Sequence, residues 1–397
     1  MQAVSRVVMV DPCAQTREDL KRMLAGLDPI WVEAECPKYD QLPDILSQTT
    51  PDIVVINLDS DPVQGMQMVD ETLRSSPLSR VFVTSSQSDS QRILQAMRSG
   101  AHEYLTTPVE MDDLLMALER ARQANSVRGN GSAQSTVMAV TGVVGGVGAT
   151  SVAVNLACAW AADSARRVVF VDLDLVMGDA DVCLNLVHNY TLMDVVENIN
   201  RLDFTLLKRS LVRHASGVSF LPHPTHLADV ARVRPDNLKR LIGLLKATFT
   251  HVVLDLRNGF RETDIAAMEA VETILLVAQL DVSCVRNVSR LFKALEGMQG
   301  LSDRIRLVLN RVGAKELSIP VEKAEETMGR KVFWQVPNDW HNMVTSRNVG
   351  VPLVQHAPKS RVAVSIREMA EALADSSAST PHIRPAAKRR GLLSLLG

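Results

Sequence analysis

Apolar and polar residues alternate along the first 125 residues in two distinct patterns. Short β-branched runs, typical of buried strands, are separated by stretches whose apolar residues recur at helical spacing. The runs predict strands at residues 6–10, 52–57, 80–85 and 103–105, and the intervening pattern predicts helices at 16–27, 64–74, 90–99 and 110–124. This regular alternation of strand and helix predicts an α/β domain over residues 1–125.

A second series of buried strands follows a polar, Gly/Ser-rich stretch at residues 126–135, which is typical of a linker. The apolar segments beyond it predict strands within residues 135–141, 166–174, 250–255, 271–280, 305–310 and 331–338, and residues 151–162 have a helical composition. We therefore expect residues 136–375 to form a second α/β domain, a doubly wound and mostly parallel sheet.

Composition narrows the class of protein. A chain of 397 residues is longer than the roughly 100–200 residues of one domain, so two domains are expected. The net charge of −2 and pI near 6.5 give no global positive field, which argues against nucleic acid as a partner. The five cysteines lack C-x-x-C spacing, and we find neither a signal peptide nor a run of roughly 20 apolar residues. These features predict a cytoplasmic protein with reduced thiols.

A glycine-rich sequence, V-V-G-G-V-G-A-T-S at residues 143–151, joins a predicted strand to a predicted helix. Strand, glycine loop and helix are the context that a phosphate-binding P-loop requires. Backbone N–H groups of such a loop and the positive end of the helix face the phosphates, and Thr150 holds the place of the Mg²⁺-binding hydroxyl. The phosphate-binding residues predicted here are Gly145, Gly146, Val147, Gly148, Ala149, Thr150 and Ser151. A glycine turn without a nucleotide is the alternative.

Carboxylates end two of the later strands, with Asp172 and Asp174 in a D-x-D motif and Asp255 after T-H-V-V-L. Together with the loop, this order resembles the deviant Walker A family of partitioning ATPases, which includes ParA and MinD. The resemblance implies that Asp174 orients the attacking water, the catalytic role, and that Thr150, Asp172 and Asp255 serve the metal site. It also implies that Asn310 contacts adenine, although a strand-end cap is equally consistent with the sequence, and that the loop beginning at residue 337 closes over the base.

The loop departs from the family pattern K-G-G-x-G-K-[ST] at both lysines, which fall at Val144 and Ala149. A charge-assisted hydrogen bond to phosphate is worth roughly 1.5–3 kcal/mol, so its loss weakens binding about tenfold to a hundredfold. Cations that neutralise charge during phosphoryl transfer are worth roughly 10³–10⁵ in rate. We therefore expect ATP with Mg²⁺ to bind weakly or not at all, and ATPase activity to be very weak or absent.

The first domain resembles the response-regulator receiver domain, a flavodoxin-like fold, most clearly in G-A-H-E-Y-L-T-T-P at residues 100–108. Receivers accept a phosphoryl group on an aspartate. Here Asn57 stands at that place, the acidic pair after the first strand is reduced to Asp11, and Thr107 replaces the lysine that precedes proline. An amide cannot be the nucleophile, so we expect a pseudo-receiver that binds a partner or dimerises.

Both domains together resemble the TadZ/CpaE proteins of tight-adherence (Flp, type IVc) pilus machines. The matching segments lie between about residues 137 and 372 and include G-G-V-G-A-T-S-V-A-V-N-L-A and V-D-L-D-L-V-M-G-D-A-D. The resemblance implies a homodimer that localises pilus assembly at the inner membrane, often at a pole, with the pilus secretion ATPase and inner-membrane platform proteins as partners. The alternatives are an active ParA/MinD-type ATPase that positions cargo or DNA, and a phosphorylated response regulator.

The chain ends in a Ser/Pro/Ala linker and a basic, leucine-rich tail at residues 376–397. Lys388, Arg389 and Arg390 precede L-L-S-L-L-G, whose leucines would cover one arc of a helix. Such a tail can make a peripheral membrane contact or occupy a partner groove. A frayed end is the alternative.

Overall fold

The computed structural model describes residues 5–25, 27, 30–127, 135–199, 204–295, 300–314 and 319–374, and over these ranges the chain forms two α/β units. Most of the predicted linker and the whole predicted tail lie outside the described residues. Among the helices that are described, none is both long and apolar enough to cross a membrane.

The first unit is built around a parallel sheet. Its strands are β1 (Ser5–Val10), β2 (Ile30–Cys36), β3 (Ile53–Asn57), β4 (Arg80–Ser85) and β5 (Glu103–Thr106). Its helices are α1 (Ala14–Ala25), α2 (Leu42–Gln48), α3 (Pro62–Ser75), α4 (Ser90–Arg98) and α5 (Met111–Val127). The strand order β2-β1-β3-β4-β5 is that of flavodoxin-like folds, which confirms the predicted fold class of this part of the chain.

The second unit contains a larger sheet. Its strands are β6 (Thr136–Gly142), β7 (Val168–Leu173), β8 (Val212–Arg213), β9 (Ser219–Leu221), β10 (His251–Leu256), β11 (Thr273–Ala278), β12 (Ile305–Val312) and β13 (Val332–Pro337). Its helices are α6 (Ala149–Ala161), α7 (Ala180–Leu184), α8 (Leu192–Glu197), α9 (Phe204–Ser210), α10 (Pro235–Thr248), α11 (Glu262–Glu269), α12 (Val282–Leu295), α13 (Val321–Met328), α14 (Trp340–Val349), α15 (Leu353–His356) and α16 (Arg361–Ala374).

The larger sheet has the strand order β13-β12-β11-β6-β10-β7-β9-β8, and all its neighbours are parallel except β8 and β9. Alternate residues of the central strand enter different cores, with Met138 and Val140 on one face and Val137 and Ala139 on the other. Both faces are therefore covered, as in a doubly wound fold, and the prediction of a mostly parallel sheet is confirmed. The carboxyl ends of β6, β10 and β7 meet at one edge, where Asp255 and Asp172 are register partners.

The two units touch through the edge strand β2, which packs against α9. Trp31 on β2 is 3% exposed and belongs to an apolar cluster of the second unit. Lys208 Nζ donates a hydrogen bond to Gln48 Oε1 at 3.1 Å across the same contact. The first sheet therefore docks by its edge, which also covers backbone groups that an exposed edge strand would present.

Several elements differ from the sequence prediction. Strands β2, β8 and β9 and helix α2 were not predicted, and α5 continues to Val127, into the stretch assigned to the linker. Helix α6 begins at Ala149, two residues before the predicted start. All five cysteines are free, and only Cys13 is exposed.

Candidate nucleotide-binding site

The loop between β6 and α6 has the curled backbone of a phosphate cradle. Gly146 and Gly148 adopt φ values of 81° and 92°, in the left-handed region that glycine enters without strain. A Cβ at Gly148 would also lie 2.5 Å from Asn310 Nδ2, so a side chain is excluded there by contact as well. Because α6 starts directly after Gly148, its amino-terminal N–H groups open towards the loop.

A cavity of about 460 Å³ opens beside this loop, within the range of small-molecule sites. The predicted phosphate-binding residues 145–151 all border it, as do Asp174 and Asn310. Residues 336–340 form part of the opposite wall, as expected for the loop that follows the last strand. The folded chain thus gathers most of the predicted site residues around one cavity.

Apolar side chains occupy the places of both family lysines. Val144 and Ala149 border the cavity, and both are partly buried against the apolar cluster on the α6 face of the sheet. Neither side chain can donate a hydrogen bond to a phosphate. The cradle therefore depends on backbone N–H groups and on side chains from other elements.

Thr150 and Asp255 fit a Mg²⁺ site of the kind that is completed by phosphate oxygens and water. The Thr150 hydroxyl donates a hydrogen bond to the Asp255 carboxylate, which is 2% exposed. Burial raises the pKa of Asp255 well above its usual value, and the neighbouring Asp172 carboxylate raises it further. A cation would favour the ionised forms. No group of three or more acidic, His or Cys ligands occurs in the described residues, but Mg²⁺ commonly uses only one or two carboxylates.

Asp172 lies behind the cavity wall and organises the turn after β7. It is fully buried, and it accepts hydrogen bonds from the Asp174 N–H at 3.0 Å and the Ala180 N–H at 3.5 Å. His223 Nδ1 lies 3.5 Å from its Oδ2, and this contact raises the pKa of the imidazole. A Cβ at Gly178 would lie 2.3 Å from the same oxygen, so the turn requires glycine at that position.

Asp174 and Asn310 reach the cavity but have partners within the protein. Asp174 Oδ1 accepts a hydrogen bond from the Met177 N–H at 3.2 Å and lies 3.8 Å from Arg257 Nη1. The Asn310 side chain donates to the Val147 carbonyl at 2.7 Å, which holds the end of β12 against the glycine loop. The roles assigned to these residues, water orientation and adenine contact, stay predictions.

Sequence reasoning missed three arginines that border the cavity, Arg257, Arg311 and Arg347. Arg311 Nη2 donates to the Gly146 carbonyl at 3.2 Å, and Arg347 Nη2 lies 2.5 Å from Asp179 Oδ2. They come from three separate elements far apart in sequence. The only local signal was the position of Arg257, two residues after Asp255.

The corresponding corner of the first unit is filled by internal hydrogen bonds. Asn57 is buried at the end of β3, where its Nδ2 donates to Thr84 Oγ1 at 3.3 Å and its Oδ1 accepts from the Asp59 N–H at 2.8 Å. Asp59 in turn accepts from Ser85 Oγ at 2.6 Å, and Asp11 accepts from Thr16 Oγ1 at 2.6 Å. These side chains are engaged in hydrogen bonds within the unit, which is consistent with the expected pseudo-receiver.

Comparison with known proteins gives a family match for each unit. Residues 7–119 match the response regulator receiver domain, and residues 138–343 match the CobQ/CobB/MinD/ParA nucleotide binding domain. The septum site-determining protein MinD of Bacillus subtilis (strain 168) is 25% identical over 244 residues, which cover 60% of this chain and 88% of MinD.

Solved structures show the same fold. The ParA family ATPase from Chlorobium tepidum TLS matches with a TM-score of 0.58 at 23% identity, covering 60% of this chain and 99% of that one. MinD from Pyrococcus horikoshii OT3, solved with Mg-ADP, matches with a TM-score of 0.52 at 26% identity, covering 62% and 99%. Since the nucleotide-binding family match spans just over half of the 397 residues, the chain belongs to the CobQ/CobB/MinD/ParA nucleotide binding domain family.

Proposed function

We propose that this chain is a localisation and scaffolding factor for the assembly of a Flp/Tad (type IVc) pilus secretion machine, with a degenerate ATP-binding site. It would act in the cytoplasm, peripherally at the inner membrane and at a cell pole, as a homodimer. Its partners would be the pilus secretion ATPase and inner-membrane platform proteins. This is the role implied by the resemblance to TadZ/CpaE proteins.

One observation carries the proposal, the pairing of two altered domains in a single chain. The receiver-like unit has Asn57 where the phosphoacceptor aspartate belongs, and the P-loop unit has Val144 and Ala149 where both lysines belong. Each unit keeps its fold and its apolar cores but lacks these particular side chains of its chemistry. A scaffold needs folded surfaces but does not need phosphoryl transfer, so both losses are compatible with that role.

The test is made in the bacterium that encodes the chain. A strain lacking the chain should lose surface pili, and its labelled pilus secretion ATPase should become dispersed. The wild-type chain should restore both, and so should a Thr150→Ala chain if nucleotide chemistry is dispensable. Normal pili and a focused secretion ATPase in the strain that lacks the chain would contradict the proposal.

The second candidate is an active ParA/MinD-type ATPase that positions cargo or DNA. It is favoured by the retention of Thr150, Asp174 and Asp255 around the site. Steady-state ATP turnover by the purified full chain separates the two candidates. Turnover that is lost in Asp174→Ala supports the ATPase, whereas turnover at background in both proteins supports the scaffold.

A further inference from the structure

We propose that Arg257 is the cationic phosphate ligand of this site and takes the place of the lysine that the loop lacks at Ala149. The ligand class is a nucleoside diphosphate or triphosphate. The inference rests on the part of the proposed function that assigns a degenerate nucleotide site to this cavity.

The position of Arg257 is fixed by the two central strands. It follows β10 directly, and its carbonyl accepts a hydrogen bond from Thr141 Oγ1 on β6 at 3.2 Å. Strand β6 leads into the glycine loop, so the arginine backbone is tied to the same strand that positions the cradle. The Arg257 side chain borders the cavity together with residues 144–152.

The guanidinium of Arg257 has an unused donor. Its Nη1 is buried and has no hydrogen-bond acceptor, since Asp174 Oδ1 lies 3.8 Å away, beyond hydrogen-bond distance. The side chain as a whole is 37% exposed, so the group remains reachable from the cavity. A buried donor without an acceptor is unfavourable, and a phosphate oxygen would satisfy it with a charge-assisted bond.

The other two arginines at the cavity are already engaged. Arg347 lies 2.5 Å from Asp179, and Arg311 donates to the Gly146 carbonyl. Arg257 has the loosest contact of the three within the described structure. A guanidinium is also always charged and carries several donors in a planar fork, so it suits a phosphate in a site with no lysine.

The pairing with Asp174 predicts opposite effects for two substitutions. Asp174 attracts Arg257 across 3.8 Å and competes with an incoming phosphate for it. Removing the arginine charge should weaken phosphate binding. Removing the aspartate charge should strengthen it, but only while Arg257 is present.

The experiment measures dissociation constants of the full-length protein for Mg-ADP and for adenosine. Arg257→Gln should weaken Mg-ADP binding about tenfold to a hundredfold and leave adenosine binding unchanged. Arg257→Lys, which keeps the charge, should lose less affinity for Mg-ADP than Arg257→Gln. Asp174→Asn should tighten Mg-ADP binding several-fold, and this gain should vanish in the double variant with Arg257→Gln.

Arg166→Gln is the matched control. Arg166 is 30% exposed and paired with Asp163 at 3.2 Å, but it lies before β7, at the end of the sheet away from the cavity. This variant should bind Mg-ADP like the wild type. Adding Ala149→Lys to Arg257→Gln should restore Mg-ADP binding.

Two results for Arg257→Gln would overturn the inference. One is an equal Mg-ADP dissociation constant for the wild type and Arg257→Gln, and the other is a parallel loss of adenosine binding, which would show a structural effect. A wild-type protein that binds no Mg-ADP would also overturn the inference. It would not contradict the scaffolding role, because that role is tested by the presence of pili and by the position of the secretion ATPase in cells.

Discussion

Ala149 separates nucleotide binding from nucleotide hydrolysis at the level of one residue. Its methyl group borders the cavity at the first position of α6, where the family has a lysine. Backbone N–H groups and the helix terminus remain available to hold a phosphate in the ground state. The loop lacks the lysine charge that would stabilise transfer, so we expect a larger loss of rate than of affinity.

Ala149→Lys should therefore tighten Mg-ATP binding about tenfold to a hundredfold. Isothermal titration of the full-length protein measures this directly. The control is Ala162→Lys, which adds the same charge at an exposed position beyond the far end of α6, about 20 Å away at 1.5 Å per residue. If Ala149→Lys binds Mg-ATP no more tightly than the wild type and Ala162→Lys, a lysine at this position does not contact a bound phosphate.

The sequence alone was sufficient to predict the site residues that lie in a local motif, either the glycine loop or the end of a strand. The loop at residues 145–151 is contiguous, and Asp174 and Asp255 each end a recognisable strand, so their convergence follows from parallel strand order. Arg257, Arg311 and Arg347 were missed because surface arginines are common and their positions depend on the folded chain. His223 was also missed, because its position beside Asp172 depends on the folded chain.

The turn between β7 and α7 is the element that sets the position of Asp174. Its backbone folds around the buried Asp172 carboxylate, which accepts from Asp174 and Ala180 N–H groups. Gly178 approaches that carboxylate so closely that an added Cβ would lie 2.3 Å from Oδ2 and 2.7 Å from Cγ. Because Asp172 is fully buried, it has little room to move away.

Gly178→Ala should destabilise the protein by about 1–3 kcal/mol, the usual cost of overpacking, and lower the midpoint of thermal unfolding. The measurement is circular dichroism during heating. Gly145→Ala is the control, since nothing lies within 4 Å of its added Cβ and its φ is not in the left-handed region. An unfolding midpoint in Gly178→Ala that equals that of the control would mean that the turn relaxes without cost.

Two physical reasons explain the strands that the sequence did not predict. Strand β2 reads I-W-V-E-A-E-C, and its two glutamates interrupt the apolar run that marks a buried strand. Glu33 is nevertheless 1% exposed, because the second unit covers this edge. Strands β8 and β9 have two and three residues, too few to give a pattern. For β2 a tertiary contact outweighs local composition.

At the scale of the whole molecule, we expect the basic, leucine-rich tail to make the peripheral membrane contact. Each buried leucine contributes roughly 1.5–3 kcal/mol, and each basic residue near an anionic membrane about 1 kcal/mol. Truncation after Asp375 should reduce co-sedimentation with anionic vesicles and leave folding intact. Equal sedimentation of the complete and truncated chains, with both vesicles and pilus-machine membrane proteins, would show that the tail is only a frayed end.

The contact between the two units includes a buried carboxyl group, that of Glu33. Glu33 lies near two cations, Arg6 of the first unit and Arg167 of the second, and its Oε2 has no hydrogen-bond partner. Arg6 is itself paired with Asp52 at 3.2 Å. Burial raises the pKa of Glu33 from 4.5 to about 7, against the opposing effect of the two arginines.

Because the folded pKa of Glu33 lies above its unfolded value, the folded state holds this proton more tightly. The resulting stability is fully present below about pH 4.5 and is lost as the pH rises through about 7. Glu33→Gln, which cannot ionise, should have a higher free energy of unfolding than the wild type at pH 8, by an amount on the order of 3 kcal/mol, and should therefore melt at a higher temperature. The difference should shrink at pH 5. Glu35→Gln on the same strand is the control, since Glu35 is paired with Lys21 and should show no such gain. If the difference in unfolding temperature between Glu33→Gln and the wild type is the same from pH 5 to pH 8, then water reaches Glu33 and the contact between the two units does not exclude it.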